Sequence, residues 1–493
     1  MIAQLALRNI TYRPWRSVLL FFGYGVGVAV MIVLLSIGEA MLSQARNEKL
    51  VGGGSITVLP EGLDVEVMKT GGIGGLFFSI DHASFLYRQV FASPRFREEI
   101  SAVAPQIEGR LLYLRTADGR QYPVHASGEI PAATVAVGAA PEIATGKWQN
   151  DDGDRRWAAP TLAELRHEID HFRLPSDSVA NRDTWAEWHY FNVLSGGGKR
   201  WAFISFIVGG DVTGSKWGGK VGITLREQDG ATRRFGATID RSRVRFSTTD
   251  ANLVFGDSHV TVLPNGDYEV RARAGGADIS IVVHPAPFAY FPGVAMGSGG
   301  FVSGYTVPAL RASASGTLCV DGRCEKLIDA QSYHDHNWGV WRGVTWDWGA
   351  GRAGDYTFLY GRVLSPDRSA SVPPLLVYLI DSLGFRAVFR PRLISYEDGR
   401  TIRSAGTTLH VPSRARFSDI RGDDTLNVDI SIEDAIATDT RPQNTREGER
   451  GDPLGSAKAR PFFIQMKGTA TISGRIEGQP LNGSGAGFFE TYR

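Results

Sequence analysis

The densest run of reactive side chains in this sequence is Tyr333-His334-Asp335-His336-Asn337-Trp338-Gly339, with Trp341 and Trp346-Asp347-Trp348 close behind. Side chains alternate along a strand, so Tyr333, Asp335 and Asn337 would share one face and His334, His336 and Trp338 the other. In a barrel one of these faces lines the cavity, which leaves two exclusive arrangements. With Asp335 inward, the cavity holds a carboxylic acid flanked by a phenol and an amide. With the histidines inward, His334 and His336 form an H-x-H metal pair that lacks a third ligand. The bland alternative is a hydrogen-bond network that fixes strand register while Trp fills a core.

The elements around this run read as strands and turns. Candidate strands include Trp188–Leu194, Trp201–Val208, Gly218–Leu225, Ser258–Leu263, Tyr268–Ala274, Asp278–His284, Tyr356–Val363 and Leu375–Leu379. Their spacing of about ten residues, with turn signals between, predicts barrels or sandwiches. Cys319 and Cys324, the two cysteines of the chain, flank Asp321-Gly322. That hairpin signal would set them on facing strands, close enough to form a disulfide in an oxidising compartment. A reduced thiol pair is the other reading, and two cysteines alone make no structural zinc site.

Upstream, Thr161 and Glu164 fit a capping box, and Leu162, Leu165, Ile169 and Phe172 form one apolar helix face. His167 and His171 lie four apart on that helix, where a polar face is favoured over a metal pair. Residues 110–115 and 121–124, joined through Asp118-Gly119, read as a hairpin. Asn150 to Asp154 is a solvated linker without the spacing of a calcium loop. Asp434 to Lys458 is polar and poor in apolar residues, which predicts a long mobile loop.

One segment is built for a membrane. Ser17 to Gly38 carries no charge, and its 22 residues would span about 33 Å as a helix. Arg8, Arg13 and Arg16 precede it and Glu39 closes it, so the positive-inside rule puts the N-terminus in the cytoplasm. The body is then periplasmic or otherwise extracytoplasmic, on a single-pass anchor in the inner (plasma) membrane. A cleaved signal peptide fits less well, because Ser36-Ile37-Gly38-Glu39 makes a poor cleavage site.

Two resemblances follow. Leu7-Arg8-Asn9, Tyr12-Arg13-Pro14-Trp15-Arg16-Ser17, Ser36-Ile37-Gly38-Glu39 and Gly52-Gly53-Gly54-Ser55-Ile56-Thr57-Val58-Leu59-Pro60 resemble the start of FtsX-like ABC-transporter permeases and their MacB-type periplasmic core. The likeness covers about residues 1–145, and a single span gives no transport pathway. Glu187-Trp188-His189-Tyr190-Phe191-Asn192 and the Tyr333–Gly339 block, backed by Trp346-Asp347-Trp348, resemble the signature blocks of the family joining AttH-like proteins with carotenoid 1,2-hydratase (hydroxyneurosporene synthase). That likeness runs from about Trp185 to the C-terminus. It implies two packed lipocalin-like, calycin-type β-barrels around an apolar cavity and cofactor-free addition of water to a terminal isoprenoid double bond. Asp335 would then be the acid and Tyr333 its orienting partner, with His334 or His336 able to take up a proton. Trp338, Trp346, Trp348, Tyr305, Trp188, Tyr190 and Asn337 would line the substrate site. Ser303-Gly304-Tyr305 stands where the hydratases carry a His-x-Trp element.

The resulting expectation is a mainly β chain: two barrels preceded by one transmembrane helix and a small α+β extracytoplasmic segment. Its parts are a stub and anchor at 1–50, a permease-like remnant at 51–148, a helical linker at 149–180, and barrels at 181–310 and 311–493. The second barrel would hold the Tyr333–Gly339 block. Lys plus Arg number 53 against 52 Asp plus Glu, a balance that speaks against nucleic acid as a partner. The expected partners are an apolar lipid or isoprenoid, the membrane, and ABC-transporter subunits. Neither a metal nor a cofactor is expected. Two functions compete: a hydratase working through Asp335, and a non-catalytic lipid-binding module that serves an exporter.

Overall fold

The computed structural model describes residues 14–47, 56, 58, 80–138, 151–175, 179, 182–298, 301–341, 343–365, 372–404, 406–440 and 461–493. It falls into two compact units, one drawn from Met1–Phe78 and Ile100–Asp154 and the other from Ser79–Glu99 and Arg155–Arg493. Helices are α1 (Pro14–Asn47), α2 (Ile80–Leu86), α3 (Pro131–Ala136), α4 (Asp152–Ala158) and α5 (Leu162–Asp170).

In the first unit, α1 contains Pro14–Ile37, 24 residues of mean hydropathy 2.6 with none of that stretch buried. It is the one helix among the described residues long and apolar enough to cross a membrane. Strands β1 (Gln106–Arg115) and β2 (Gln121–Glu129) form the hairpin expected around Asp118-Gly119, where Gly119 takes a positive φ of 85°. Most of the permease-like Gly52–Pro60 run lies outside the described residues.

The second unit is the β body, and it begins earlier than expected. Segment 80–99 belongs to it, because Phe85 finds its core there, against Tyr290, Phe291, Tyr378 and Phe385. Gln89 donates to the Phe288 carbonyl at 3.0 Å, and Arg95 pairs with Asp381 at 2.5 Å. The capping box at Thr161 and Glu164 forms as predicted, and α5 buries Leu165, Arg166, Ile169 and Asp170.

The first sheet of the body uses β3 (Trp185–Ser195), β4 (Arg200–Gly210), β5 (Trp217–Arg226), β6 (Thr232–Ile239), β7 (Val244–Arg245) and β8 (Leu253–Phe255). It continues with β9 (Ser258–Val262), β10 (Tyr268–Ala274), β11 (Ala277–Pro285), β12 (Phe291–Ser298), β13 (Phe301–Val320) and β14 (Arg323–Val340). The order is β6-β5-β4-β3-β14-β13-β11-β10-β9-β8-β7, with β12 on β13, and the sheet coils into a near-closed barrel. Its interior is largely apolar, with Phe191, Phe206, Phe255, Val260, Val270 and Ile281 among the buried side chains. This matches the period-two pattern of the predicted strands.

The second sheet uses β15 (Thr345–Ala353), β16 (Tyr356–Leu364), β17 (Leu376–Asp381), β18 (Gly384–Phe389) and β19 (Ser395–Glu397). After the separate hairpin β20 (Arg400–Ser404) and β21 (Thr407–Val411) come β22 (Arg414–Arg421), β23 (Asp424–Asp439), β24 (Phe462–Ile476) and β25 (Gln479–Tyr492). The order β18-β17-β16-β15-β25-β24-β23-β22-β19 makes an open half-barrel. The fold is mainly β, as expected.

Two expectations are corrected. The change of sheet falls between Val340 and Thr345 rather than at 310/311, because β13 and β14 form one long hairpin that pairs with β3 and β11. The Tyr333–Gly339 block therefore belongs to the first sheet. Residues 434–439, expected in a loop, extend β23 and pair with β24, with Ala435, Ile436 and Ala437 buried; residues 441–460 lie outside the described set. At the tip of the β13–β14 hairpin Cys319 and Cys324 are direct partners and form a disulfide, with Asp321 and Gly322 at positive φ in the turn.

Candidate active site

Strand β14 is central in the first sheet, and its alternation sorts the motif as the sequence predicts. Asp335 lies opposite Tyr190, Tyr333 opposite Asn192 and Asn337 opposite both Trp188 and Tyr305, so these seven residues share a face. His336 lies opposite His189, His334 opposite Phe191 and Trp338 opposite Glu187 on the other. The two arrangements left open by the sequence are not exclusive. A second sheet covers the Asp335 face and the barrel encloses the histidine face, so both are buried.

Across from Asp335, neighbouring strands of the second sheet set Trp348, Glu490 and Gln465 in one row. The Trp348 indole donates to the Tyr333 hydroxyl at 3.1 Å, and the Trp346 indole donates to Glu490 Oε2 at 2.9 Å. Trp348 lies flat on Gly361, where a Cβ would come within 2.5 Å of the ring. Asn337 Nδ2 donates to Asp335 Oδ1 at 2.6 Å, and the Tyr333 hydroxyl also interacts with that carboxyl.

Asp335 is 4% exposed. Burial, then the charge of Glu490, drive its carboxyl well above the usual range, and the Tyr333 and Asn337 hydrogen bonds only temper this. Burial pushes Glu490 up to about 7 despite its Trp346 and Gln465 contacts. Tyr333 and Tyr190 are also raised, by burial first and then by these carboxyls.

Aromatic rings wall the pair. The Tyr305 and Trp348 rings meet edge to face at 4.6 Å, and Trp188, Trp341 and Trp346 cluster at 4.7 to 6.4 Å. Tyr333 also borders a crevice lined by Asn192, Leu310, Gln331, Arg352 and Phe488. Two carboxyls inclined to hold protons, beside aromatic faces, can donate a proton to an apolar substrate and shelter the resulting cation.

The opposite face is a different chemistry. The end of α5 feeds Asp170 into the barrel, where its carboxylate meets His334 Nε2 at 2.9 Å, His336 Nδ1 at 3.0 Å and the Tyr268 hydroxyl at 2.9 Å. His336 Nε2 lies 2.7 Å from Glu187 Oε1, which also accepts the Arg173 amide. Trp338, expected on the substrate side, instead packs under the Arg173 guanidinium, 4.0 Å from its ring centre. His334 and His336 likewise point away from Asp335 into the barrel, and the charge of His336 only tempers the raised Asp335 carboxyl from behind the strand. Of the helix histidines, His167 accepts the Ala251 amide and His171 contacts the Glu168 carbonyl, which leaves no metal pair on α5.

Of the sequence-predicted residues, the structure gathers Asp335, Tyr333, Asn337, Tyr190, Trp188, Tyr305, Trp346 and Trp348, and separates His334, His336 and Trp338 from them. Glu490, Gln465, Asn192, Asp170 and Glu187 went unassigned. A lone acid in an apolar strand was the available signal for Glu490, in Phe488-Phe489-Glu490-Thr491-Tyr492, as it was for Glu187 beside Trp188.

No family model matches the chain, and no curated protein matches it. Among solved structures, it resembles an AttH-type protein from Nitrosomonas europaea at 19% identity and TM-score 0.45, covering 66% of this chain and 98% of that one. It also resembles kievitone hydratase from Nectria haematococca (14%, 0.39, covering 66% and 94%) and CghA (14%, 0.42, covering 66% and 96%). The permease-like reading of residues 1–145 gains no support from these comparisons.

Proposed function

We propose that this chain is a cofactor-free hydro-lyase that adds water to a carbon–carbon double bond of an isoprenoid or other lipid. The observation that carries the reading is Asp335, a carboxyl kept protonated between two sheets, coupled to a second carboxyl and faced by tryptophans. In the forward direction the Asp335 O–H bond breaks as the alkene π pair takes its proton, which leaves a tertiary carbocation. The Trp348, Tyr305 and Trp346 faces stabilise that cation electrostatically. A water lone pair then forms the C–O bond, and the proton it sheds goes to ionised Glu490. Proton return from Glu490 to Asp335 closes the cycle, so the net change is one water added. Tyr333 and Asn337 orient the acid; His334 and His336 hold β14 in place from behind.

The apolar stretch of α1 is read here as an anchor, with the β body extracytoplasmic as the flanking arginines indicate. The test is hydration of terminal isoprenoid alkenes by the detergent-solubilised chain in deuterated water. Deuterium incorporation beside a new tertiary hydroxyl is expected, and Asp335→Asn should slow it about 10²–10⁴-fold. Unchanged turnover in that variant rejects the acid assignment. Tight lipid binding without hydration would make the chain a lipid-binding module instead.

A further inference from the structure

We propose that the interior of the first barrel holds a divalent transition-metal ion of the zinc class, ligated by Asp170, His189 and His336. The inference does not depend on Asp335, which faces the other way from β14. The three side chains are fully buried, and one donor atom from each lies within 4.8 Å of the other two. Asp170 Oδ2 is 3.6 Å from His189 Nδ1, and Asp170 Oδ1 is 3.0 Å from His336 Nδ1. A tetrahedral ion with bonds near 2.0–2.1 Å has ligand–ligand edges of about 3.3 Å, so the three donor atoms, one from each residue and all within 4.8 Å of one another, need to draw together by no more than about 1.5 Å.

His189 is the independent observation. It is 0% exposed, and neither ring nitrogen makes a hydrogen bond among the described residues. The Phe172 ring stacks on it at 5.5 Å and the His336 ring lies at 4.1 Å, so the imidazole is clamped with Nδ1 toward Asp170. A buried imidazole with no hydrogen bond is costly, and a metal at that nitrogen removes the cost.

The surrounding contacts are those a ligand set needs. His336 turns Nδ1 inward while Nε2 engages the Glu187 carboxyl at 2.7 Å, the carboxylate–histidine pairing that fixes a ligating imidazole. The second Asp170 oxygen is held by Tyr268 and His334. Two imidazoles and one carboxylate suit zinc and its neighbours, whereas calcium and magnesium favour oxygen donors alone. On binding, the ion replaces the proton shared between His336 and Asp170, and that proton leaves to solvent. The ion would tie α5 to β3 and β14, so its role is positional and it touches no substrate.

The experiment uses the full chain in detergent, loaded with zinc or with cobalt(II) and freed of loose metal on a chelating resin. Elemental analysis should find about one zinc per chain, and the cobalt form should show the intense visible bands of a four-coordinate site. Glu187→Gln should weaken binding about 10–100-fold, and His189→Asn at least as much. Asp335→Asn should leave binding unchanged. A folded wild-type chain with substoichiometric zinc and no cobalt bands would overturn the proposal, leaving a purely ionic network. So would equal binding by His189→Asn. Should His189→Asn fail to fold, the wild-type cobalt spectrum and Glu187→Gln decide the matter.

Discussion

Asp170 and Asp335 lie on opposite sides of one strand, 0% and 4% exposed, yet their carboxyls are driven in opposite directions. Burial alone raises both. Around Asp170, three imidazoles outweigh it and hold the carboxyl well below its ordinary range. Around Asp335, the strongest charged neighbour is Glu490, so the second effect adds to the first. Depth of burial therefore decides little by itself; the sign comes from the neighbour that the fold supplies. One face is built to keep a charge and the other to keep a proton.

Four measurements would break or sharpen this contrast. Asp335→Asn should lower hydration about 10²–10⁴-fold, the usual worth of a general acid, while shifting stability by less than about 1 kcal/mol. Asp170→Asn should do the reverse in urea denaturation and cost about 3–5 kcal/mol, because it strands buried imidazoles without their counter-charge. Equal destabilisation by the two variants would erase the distinction.

The pH dependence separates the faces further. Glu490, raised from 4.5 to about 7, favours the native state when protonated, so stability should fall as pH rises from 4.5 through 7. Glu490→Gln should remove about 1–3 kcal/mol of that decline. Asp170 works oppositely: its contribution is present above the ordinary carboxylate pKa and is lost only in acid, as pH falls through its depressed value. The smallest effect is expected for Trp346→Phe, which removes one indole donor to Glu490. It should cost about 0.5–1.5 kcal/mol and move the Glu490 titration upward, as read by NMR of the carboxyl.

Much of the contrast was legible in the sequence. The alternation of Tyr333-His334-Asp335-His336 sorts acid from imidazole by its period alone, and the Asp321-Gly322 turn sets Cys319 opposite Cys324. What the sequence withholds is which group stands opposite. Glu490 reaches Trp346 from 144 residues away, and Asp170 reaches His336 across 166. Those meetings depend on sheet order and on how one sheet covers another, neither of which local periodicity encodes. The exclusivity expected of the two faces failed for the same reason, since it assumed that β14 bordered a single cavity.

The disulfide carries a last consequence. It fastens the tip of the β13–β14 hairpin, but β13 slips against β14 at two places between that tip and Asp335, after Ala309 and after Ala314, and once more beside Asp335 itself, after Thr306. The staple's alignment is therefore lost to slack before it reaches the site. On the other side β14 runs in unbroken step with β3 from Gln331 to Val340. It is β3 that serves as the ruler for both chemistries, so inserting a residue near the cysteines should be absorbed, whereas one inserted into β3 would carry each aspartate's partners to the wrong side.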